Sequence, residues 1–341
     1  ALQGLSAAIM VSVSLALLLP LFPLERRAAG VGIWGVAAAL AATVGPPLGG
    51  VLVEIADWRW IFLVNLPLGA LVLVATLRGV EESRDERATG LPDLAGSALA
   101  AGGLGLLALG IVEGNGWGWS SPAVLACLAG GVVLLALVVG RSRTHPRPIV
   151  DLALFAIPSF RIGTLGTLLF AAAFFSTILG NILFLTSVWG YSVLDAGLAV
   201  MPGPLTSAVF AGPAGKLADR YGHRALIVPG TVLYAAGLFI LMGAGPTPDY
   251  LGTWLPGMLL AGAGIGLAFP TLGAAAAAEI PPERFGIATA VTSAGRQLGA
   301  VLGTAILIAI VGEPVSLAEA NAVADDAYLF GIGAAVAAGL V

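Results

Sequence analysis

The stretch GKLADRYGHR, Gly215 to Arg224, places four charged side chains within ten residues of an otherwise apolar region. The run AGLAVMPGPLTSAVFAG comes shortly before it, and the run ALIVPGTVLYAAGLFILMG follows it. Each run is close to the roughly twenty residues that a helix needs to cross about 30 Å of hydrocarbon. A short charged segment between two such runs predicts two membrane-spanning helices joined by a tight polar turn.

The whole chain has the composition of a membrane protein. Of its 341 residues, 58% are hydrophobic and only 10% are charged, whereas a soluble domain is usually about 45–50% apolar and about 25% charged. Lipid offers no hydrogen-bond partner to the backbone, so such a chain spans as helices or as a closed barrel. Barrel strands alternate apolar and polar residues over about ten positions, and the runs here are continuous. The sequence therefore predicts an all-α, polytopic transmembrane fold.

Apolar runs of this kind predict about eleven spans. The first begins at Ala1 without a charged lead-in and the last is short for a crossing, so we expect the chain to be part of a longer one. The predicted spans are 1–22, 30–53, 59–78, 92–112, 121–140, 160–186, 195–214, 224–244, 251–275, 286–312 and 326–341.

Basic residues predict the orientation of these spans. If the spans alternate, loops 23–29, 79–91, 141–159, 215–223 and 276–285 share one side of the membrane. These loops and their flanks hold 13 of the 15 Lys and Arg residues, and such an excess marks the cytoplasmic side. The thirteen are Arg26, Arg27, Arg78, Arg84, Arg87, Arg141, Arg143, Arg147, Arg161, Lys216, Arg220, Arg224 and Arg284.

A sparse internal repeat suggests two related halves. PLER at 23–26 matches PPER at 281–284 with an offset of 258 residues. The match relates spans one and two to spans nine and ten, in the same orientation. Parallel repeats relate the two six-helix halves of some transporters, and a separation of eight spans rather than six implies two extra helices between the halves.

Several segments resemble the fourteen-helix drug:proton antiporters of the major facilitator superfamily, the EmrB/QacA type. They are GIWGVAAALAATVGPPLGG (32–50), WRWIFLVNLPLG (58–69), EGNGWGWSSP (113–122) and GKLADRYGHR (215–224). The resemblance implies a major facilitator fold of two six-helix halves and two linking helices, with the first three helices absent. It implies that 1–90 is the rest of the N-terminal half, 91–159 the linking helices and a cytoplasmic linker, and 160–341 the C-terminal half.

The resemblance also implies a function. It predicts a proton-coupled secondary transporter in the plasma membrane that exports drugs or other hydrophobic or cationic small molecules. Its partners would be the substrate, protons and lipid; its driving force would be the proton gradient, with no cofactor; and it would work as a monomer. An uptake symporter and a truncated, non-transporting remnant stay open as alternatives. The weak net charge of −4 argues against nucleic acid, and the scattered His and Cys residues argue against an enzyme.

Two motifs are candidate moving parts of such a transporter. GPPLGG resembles the antiporter motif, in which Pro46 and its neighbour Pro47 kink the helix while Gly45, Gly49 and Gly50 permit close packing. An ordinary kinked helix is the alternative.

The charged segment is the second motif, and it would act as a gating loop that holds the two halves together on the cytoplasmic side. We expect Asp219 to accept hydrogen bonds from the first N–H groups of the next helix. A marker of topology without a gating role is the alternative. The gating residues are Gly215, Asp219, Arg220, Gly222 and Arg224.

Polar residues within the spans are candidates for a cavity. Arg296 lies about ten residues into its span, or roughly 15 Å deep at 1.5 Å per residue, where a charge costs at least about 2.5 kcal/mol. Thr292 lies on the same helical stripe and Gln297 is adjacent. We predict that these residues line a cavity or that Arg296 pairs with an acid on another helix; snorkelling is the alternative. Asn181 could contact substrate or could bond a backbone carbonyl.

Overall fold

The computed structural model describes residues 27–79, 93–146, 148–281, 284–312 and 317–340, together with a few positions before residue 19. These described residues form helices and no strands, which confirms the predicted all-α fold. The long helices are α1 (Arg27–Ile55), α2 (Asn65–Gly79), α3 (Leu94–Val112), α4 (Pro122–Ser142), α5 (Pro158–Ser187), α6 (Val193–Val200), α7 (Pro202–Tyr221), α8 (Arg224–Met242), α9 (Leu255–Ala277), α10 (Phe285–Val311) and α11 (Leu317–Leu340).

Eight helical segments within the described residues are long and apolar enough to cross a membrane. They correspond to the predicted spans from 59–78 to 286–312. Only Met201 separates α6 from α7, so these two helices together count as one candidate span, Val193–Tyr221. Of the remaining predictions, 30–53 lies within α1, and almost all of 1–22 lies outside the described residues.

The last helix differs from its prediction. The sequence predicts a span at 326–341, whereas α11 has 24 residues and begins at Leu317. Asp325 therefore lies inside the helix rather than just before it, and Asp326 lies in its middle rather than at its start. A polar helical start is invisible to a search for apolar runs, because Asp and Glu lower hydropathy without stopping a helix.

Helices α5, α8, α9 and α11 pack together around buried aromatic residues. Phe170, Tyr234 and Trp254 are completely buried in this core. Glycines allow close contact: a Cβ at Gly237 on α8 would lie 2.5 Å from the backbone nitrogen of Ala261 on α9. Small residues are the usual means of bringing membrane helices together, because lipid provides no hydrophobic drive for association.

The helices α3 and α4 form a hairpin that packs against α10. At one end, the Asp93 carboxylate accepts a hydrogen bond from the Gly96 N–H at 2.8 Å and pairs with Arg141 Nε at 2.7 Å. At the other end, Asn115 Nδ2 donates to the carbonyl oxygen of Ala309 on α10 at 2.6 Å. The two predicted linking helices are therefore attached to α10.

The linker after this hairpin is anchored as well. A 3-10 turn at Leu152–Ala156 buries Leu154 completely, against Phe160 and Ile280. Ser159 Oγ donates a hydrogen bond to Glu279 at 2.9 Å. The linker thus fastens the start of α5 to the end of α9.

Candidate functional site

The GPPLGG motif lies on α1 where this helix packs against α6. A Cβ at Gly50 would lie 2.6 Å from the Cα of Leu194, and a Cβ at Gly197 would lie 2.8 Å from the carbonyl oxygen of Pro46. The two main chains therefore touch without side chains between them. We call this the outer contact, Pro46–Gly50 against Leu194–Gly197. It lies at the end of α6 and α7 opposite the charged segment, which the predicted topology places outside the cytoplasm.

Among the described residues, only one of the three glycines of the motif meets a neighbouring helix closely. We expected all three to permit close packing, but within the described part of the chain no atom lies within 4 Å of a Cβ at Gly45 or Gly49. Helical periodicity explains the difference, because successive residues turn by about 100° and only one face meets α6. Gly50 belongs to the contact, and Gly197 is the partner that the sequence did not reveal.

The charged segment is more helical than predicted. The sequence predicts a loop over 215–223, whereas α7 continues to Tyr221 and only Gly222 and His223 separate it from α8. Gly222 has φ of +87°, a conformation that glycine adopts without steric penalty. The turn is thus two residues long, and Gly215 lies inside a helix.

This extension of α7 also changes the role of Asp219. The carboxylate was expected to cap the start of α8, but the N-cap position is His223 and no side chain bonds there. Asp219 lies on the last turns of α7 and is exposed, as are Lys216, Arg220 and Arg224. The Arg220 guanidinium lies over the Tyr221 ring, 5.3 Å from its centroid.

The polar residues of α10 separate into two groups. Thr292 Oγ1 donates to the carbonyl oxygen of Ala288 at 3.0 Å and lies 3.3 Å from Thr164 Oγ1 on α5. Thr292 therefore takes part in helix packing. Arg296 is half-buried and Gln297 is exposed. Within the described ranges, no hydrogen bond or ion pair involves the Arg296 guanidinium.

Asn181 lies in the packed core formed by α5, α9 and α11. It is 4% exposed, its Oδ1 accepts a hydrogen bond from the Tyr328 hydroxyl at 2.8 Å, and its Nδ2 lies 3.5 Å from Met258 Sδ. This position corrects the expectation that Asn181 lines a cavity. Its partners are 147 and 77 residues away in sequence, so no local pattern indicated them.

Comparison with known proteins identifies the class. Residues 1–304 match the family model described as Major Facilitator Superfamily, and the chain belongs to this superfamily. The predicted superfamily is thereby confirmed; the fourteen-helix subtype and the absence of three leading helices stay predictions.

Relatives with curated names are similar over most of this chain. "Multidrug resistance protein Stp" of Mycobacterium tuberculosis is 37% identical over 308 residues, which cover 89% of this chain and 56% of that protein. The "Tetracenomycin C resistance and export protein" of Streptomyces glaucescens is 30% identical over 330 residues, 94% of this chain and 60% of that protein. "Lincomycin resistance protein LmrB" of Listeria monocytogenes is 26% identical over 350 residues, 97% and 73% respectively. The chain thus spans little more than half the length of the first two.

Proposed function

We propose that this chain forms most of a secondary active transporter that exports drugs or other apolar or cationic small molecules across the plasma membrane. Export is driven by proton entry and proceeds by alternating access. The names of the relatives, which refer to multidrug resistance, antibiotic resistance and export, support this substrate class. Membership of the superfamily supports transport without covalent chemistry.

The observation that carries the proposal is the outer contact between α1 and α6. Alternating access requires that two parts of the molecule meet at one side of the membrane while the other side is open. Here the meeting surfaces are main-chain atoms beside Gly50 and Gly197. A surface without interlocking side chains leaves little space for water and can separate without any rotamer change, which is what a reversible gate needs.

Arg296 supports the proton-coupled part of the proposal. Its half-buried guanidinium lies within a span, where an isolated charge is costly and normally faces a cavity or a partner. We place a proton-carrying carboxylate of the complete protein opposite it. Protonation would neutralise that carboxylate and weaken its attraction to Arg296, so proton binding would alter which helices are held together.

A matched pair of glycine substitutions tests the proposal in the complete protein. In everted membrane vesicles, Gly50→Ala should reduce proton-driven ethidium accumulation about tenfold, since an overpacked helix contact costs about 1–3 kcal/mol. Gly49→Ala, one residue away and with no described neighbour within 4 Å of its Cβ position, should transport like the parent protein.

Three results would contradict the proposal. Equal ethidium accumulation by the two variants would contradict the proposal that the contact between α1 and α6 is a gate. Accumulation that persists after the proton gradient is collapsed would show that export is not driven by protons. Movement of the compound out of everted vesicles would indicate uptake into cells instead of export.

A further inference from the structure

The segment EGNGWGWSSP (113–122) forms the turn between α3 and α4. The predicted topology places this turn on the same side of the membrane as the outer contact. Within it, the indole Nε1–H of Trp119 donates to Asn115 Oδ1 at 2.9 Å, and Asn115 Nδ2 donates to the carbonyl oxygen of Ala309 at 2.6 Å. These hydrogen bonds form a continuous connection from the hairpin to α10.

The chemistry of these partners fixes the orientation of the Asn115 amide. An indole N–H only donates and a backbone carbonyl only accepts, so Oδ1 faces Trp119 and Nδ2 faces Ala309. The Trp119 ring is itself held over Gly114, because a Cβ at Gly114 would lie 2.6 Å from ring carbon Cε2. Trp119 therefore orients Asn115, and Gly114 leaves the space that the ring occupies.

The acceptor belongs to the C-terminal turn of α10. Ala309 lies just before the last helical residue, Val311, and the last four carbonyls of an α-helix have no partner within an ideal helix. Gly312 ends the helix with φ of +55°, and a Cβ there would lie 3.5 Å from Asn115 Nδ2. The negative end of the helix dipole also favours an N–H donor at this position. Asn115 thus caps α10 from another helix pair.

Arg296 lies between two positions at which α10 is hydrogen-bonded to a neighbouring element. Towards the start of the helix, Thr292 Oγ1 lies 3.3 Å from Thr164 Oγ1 on α5. Towards its end, Asn115 holds Ala309, roughly 20 Å beyond Arg296 at 1.5 Å per residue. Both attachments fix the register of the helix that carries the guanidinium.

Between these attachments α10 meets α5 through glycines. A Cβ at Gly299 would overlap the carbonyl oxygen of Leu168, and a Cβ at Gly303 would overlap that of Ala172. A contact between main chains contains no interlocking side chains, so it allows α10 to rotate or slide. The direction of the Arg296 side chain therefore depends on the hydrogen bonds at the two attachments.

We propose that Asn115, oriented by Trp119, is a positioning residue for Arg296. This inference rests on the proposed function, in which Arg296 faces a proton-carrying carboxylate. The hydrogen bond to Ala309 holds the outer end of α10, so that the guanidinium stays directed at that carboxylate. The two linking helices then take part in proton coupling and are more than a spacer between the halves.

Two rates measured with radiolabelled ethidium test the inference in liposomes that contain the complete protein. One is accumulation driven by a proton gradient, and the other is exchange against unlabelled ethidium without a gradient. Asn115→Asp keeps the shape and the acceptor for Trp119, but it removes the donor and places a negative charge beside the end of α10. Driven accumulation should fall about fivefold, whereas exchange, which needs no proton, should stay within about twofold of the parent protein.

Two tryptophan variants separate the roles within the segment. Trp119→Phe keeps a ring over Gly114 and removes only the N–H that orients Asn115, so driven accumulation should fall about twofold. Trp117→Phe is the matched control, because Trp117 is exposed and its indole makes no hydrogen bond with a described residue. It should equal the parent protein in both rates.

A double variant tests whether Asn115 acts through Arg296. Arg296→Gln should lower driven accumulation and leave exchange in place. Adding Asn115→Asp to Arg296→Gln should cause no further loss, because the residue that Asn115 positions is already absent.

Spin labels measure the attachment itself, without any transport. They are placed at Ser120→Cys on the turn and Ile308→Cys on α10, with Cys127 replaced by Ser. A second, longer distance should appear in Asn115→Asp and should stay absent in Trp117→Phe.

Three results would overturn the inference alone: an unchanged distance in Asn115→Asp, an equal loss of driven accumulation and exchange, or an additive loss in the double variant. The second would make the segment structural only, and the third would show that Asn115 acts independently of Arg296. A parent protein that exchanges ethidium but does not accumulate it in response to a proton gradient would contradict the proposed function, and the inference with it.

Discussion

The two ends of the segment formed by α6 and α7 are built in opposite ways. At the outer end, Gly197 brings the main chain against Pro46 of α1. At the other end, Lys216, Asp219, Arg220 and Arg224 are exposed, and no ion pair among the described residues holds them. The outer end is therefore held by close main-chain contact, whereas the charged residues at the other end form no ion pair with a described residue.

This difference predicts unequal sensitivity to substitution. Contact between two main chains is short-ranged, so one added methyl group overlaps the facing atoms directly and destabilises the contact. Exposed charges are screened by water and salt, and pairs formed by them are typically worth about 0–1 kcal/mol. We therefore expect large effects at the outer end and small ones at the charged end.

The largest expected effect comes from Gly197→Ala. The new Cβ would lie 2.8 Å from the Pro46 carbonyl oxygen, and the resulting overpacking should disfavour the closed outer contact by about 1–3 kcal/mol. Distances between spin labels at Glu54→Cys and Ser192→Cys, with Cys127 replaced by Ser, report this contact. The closed population should fall at least about fivefold relative to the open one.

Gly212→Ala is the matched control on the same segment, because no described atom lies within 4 Å of its Cβ position. It should leave the distance distribution unchanged. Equal shifts in both variants would mean that the outer contact is no more sensitive than the rest of the segment.

The second effect compares a buried polar contact with the exposed end. Tyr328→Phe removes the hydroxyl that donates to Asn181 Oδ1 and leaves a buried acceptor unpaired, which costs about 1–3 kcal/mol. The thermal unfolding temperature in detergent should fall measurably. Tyr221→Phe, at an exposed tyrosine of the charged end, should not change it; an unchanged Tyr328→Phe protein would contradict the assigned contact.

The third effect concerns the ion pair of the α3–α4 hairpin, in which Asp93 is buried and Arg141 is partly exposed. Desolvation by burial raises the pKa of the Asp93 carboxyl, but the hydrogen bonds from Gly96 and Arg141, with the Arg141 charge, outweigh it and leave this pKa below its ordinary value. A lowered pKa means that the stabilisation is complete above the ordinary carboxyl pKa and is lost as pH falls through the folded value.

Hydrogen exchange at the start of α3 measures that stabilisation. Protection of the Gly96 and Ser97 amides should be constant between pH 7 and about pH 5, after correction for intrinsic exchange rates, and should fall below about pH 4. Asp93→Asn should lower protection severalfold at neutral pH and abolish the acid dependence. If the acid dependence of protection survived in Asp93→Asn, another titratable group would be its cause.

The smallest effect is expected at the charged end. In the complete protein, Asp219→Asn should weaken efflux by about twofold without reducing the amount of protein in the membrane, because an exposed charge contributes little. Initial efflux rates at matched expression provide the measurement. Unchanged efflux would reduce the segment to a marker of topology, and a loss as large as that of Gly50→Ala would break the contrast between the ends.

Continuous apolar runs were sufficient to predict the eight segments of the described residues that are long and apolar enough to cross a membrane, because lipid imposes both helix and length. Helix ends were harder to predict. The segment from Lys216 to Tyr221 is compatible with a helix although three of its residues are charged, so hydropathy indicated the end of the apolar run and not the end of α7. The same reasoning explains the early start of α11.

Contacts between helices were harder to predict from the sequence than the helices themselves. Gly197 looks like any small residue in DAGLAV, and Asp93 and Arg141 are separated by 48 residues. Their pairing depends on how α3 and α4 align, which a single sequence does not specify. The motif GPPLGG did indicate the helix that carries the outer contact, but not which glycine touches α6.

The attachment of the hairpin to α10 has a mechanical consequence. Asn115 donates a hydrogen bond to the Ala309 carbonyl, and α3 packs against α10, so we expect α3 and α4 to move together with α10 if the molecule changes conformation. If the proposed alternating access proceeds by rotation of two bodies, these bodies would then differ in cross-section, and each would displace a different area of lipid. The balance between their conformations should therefore depend on the lateral pressure and thickness of the bilayer.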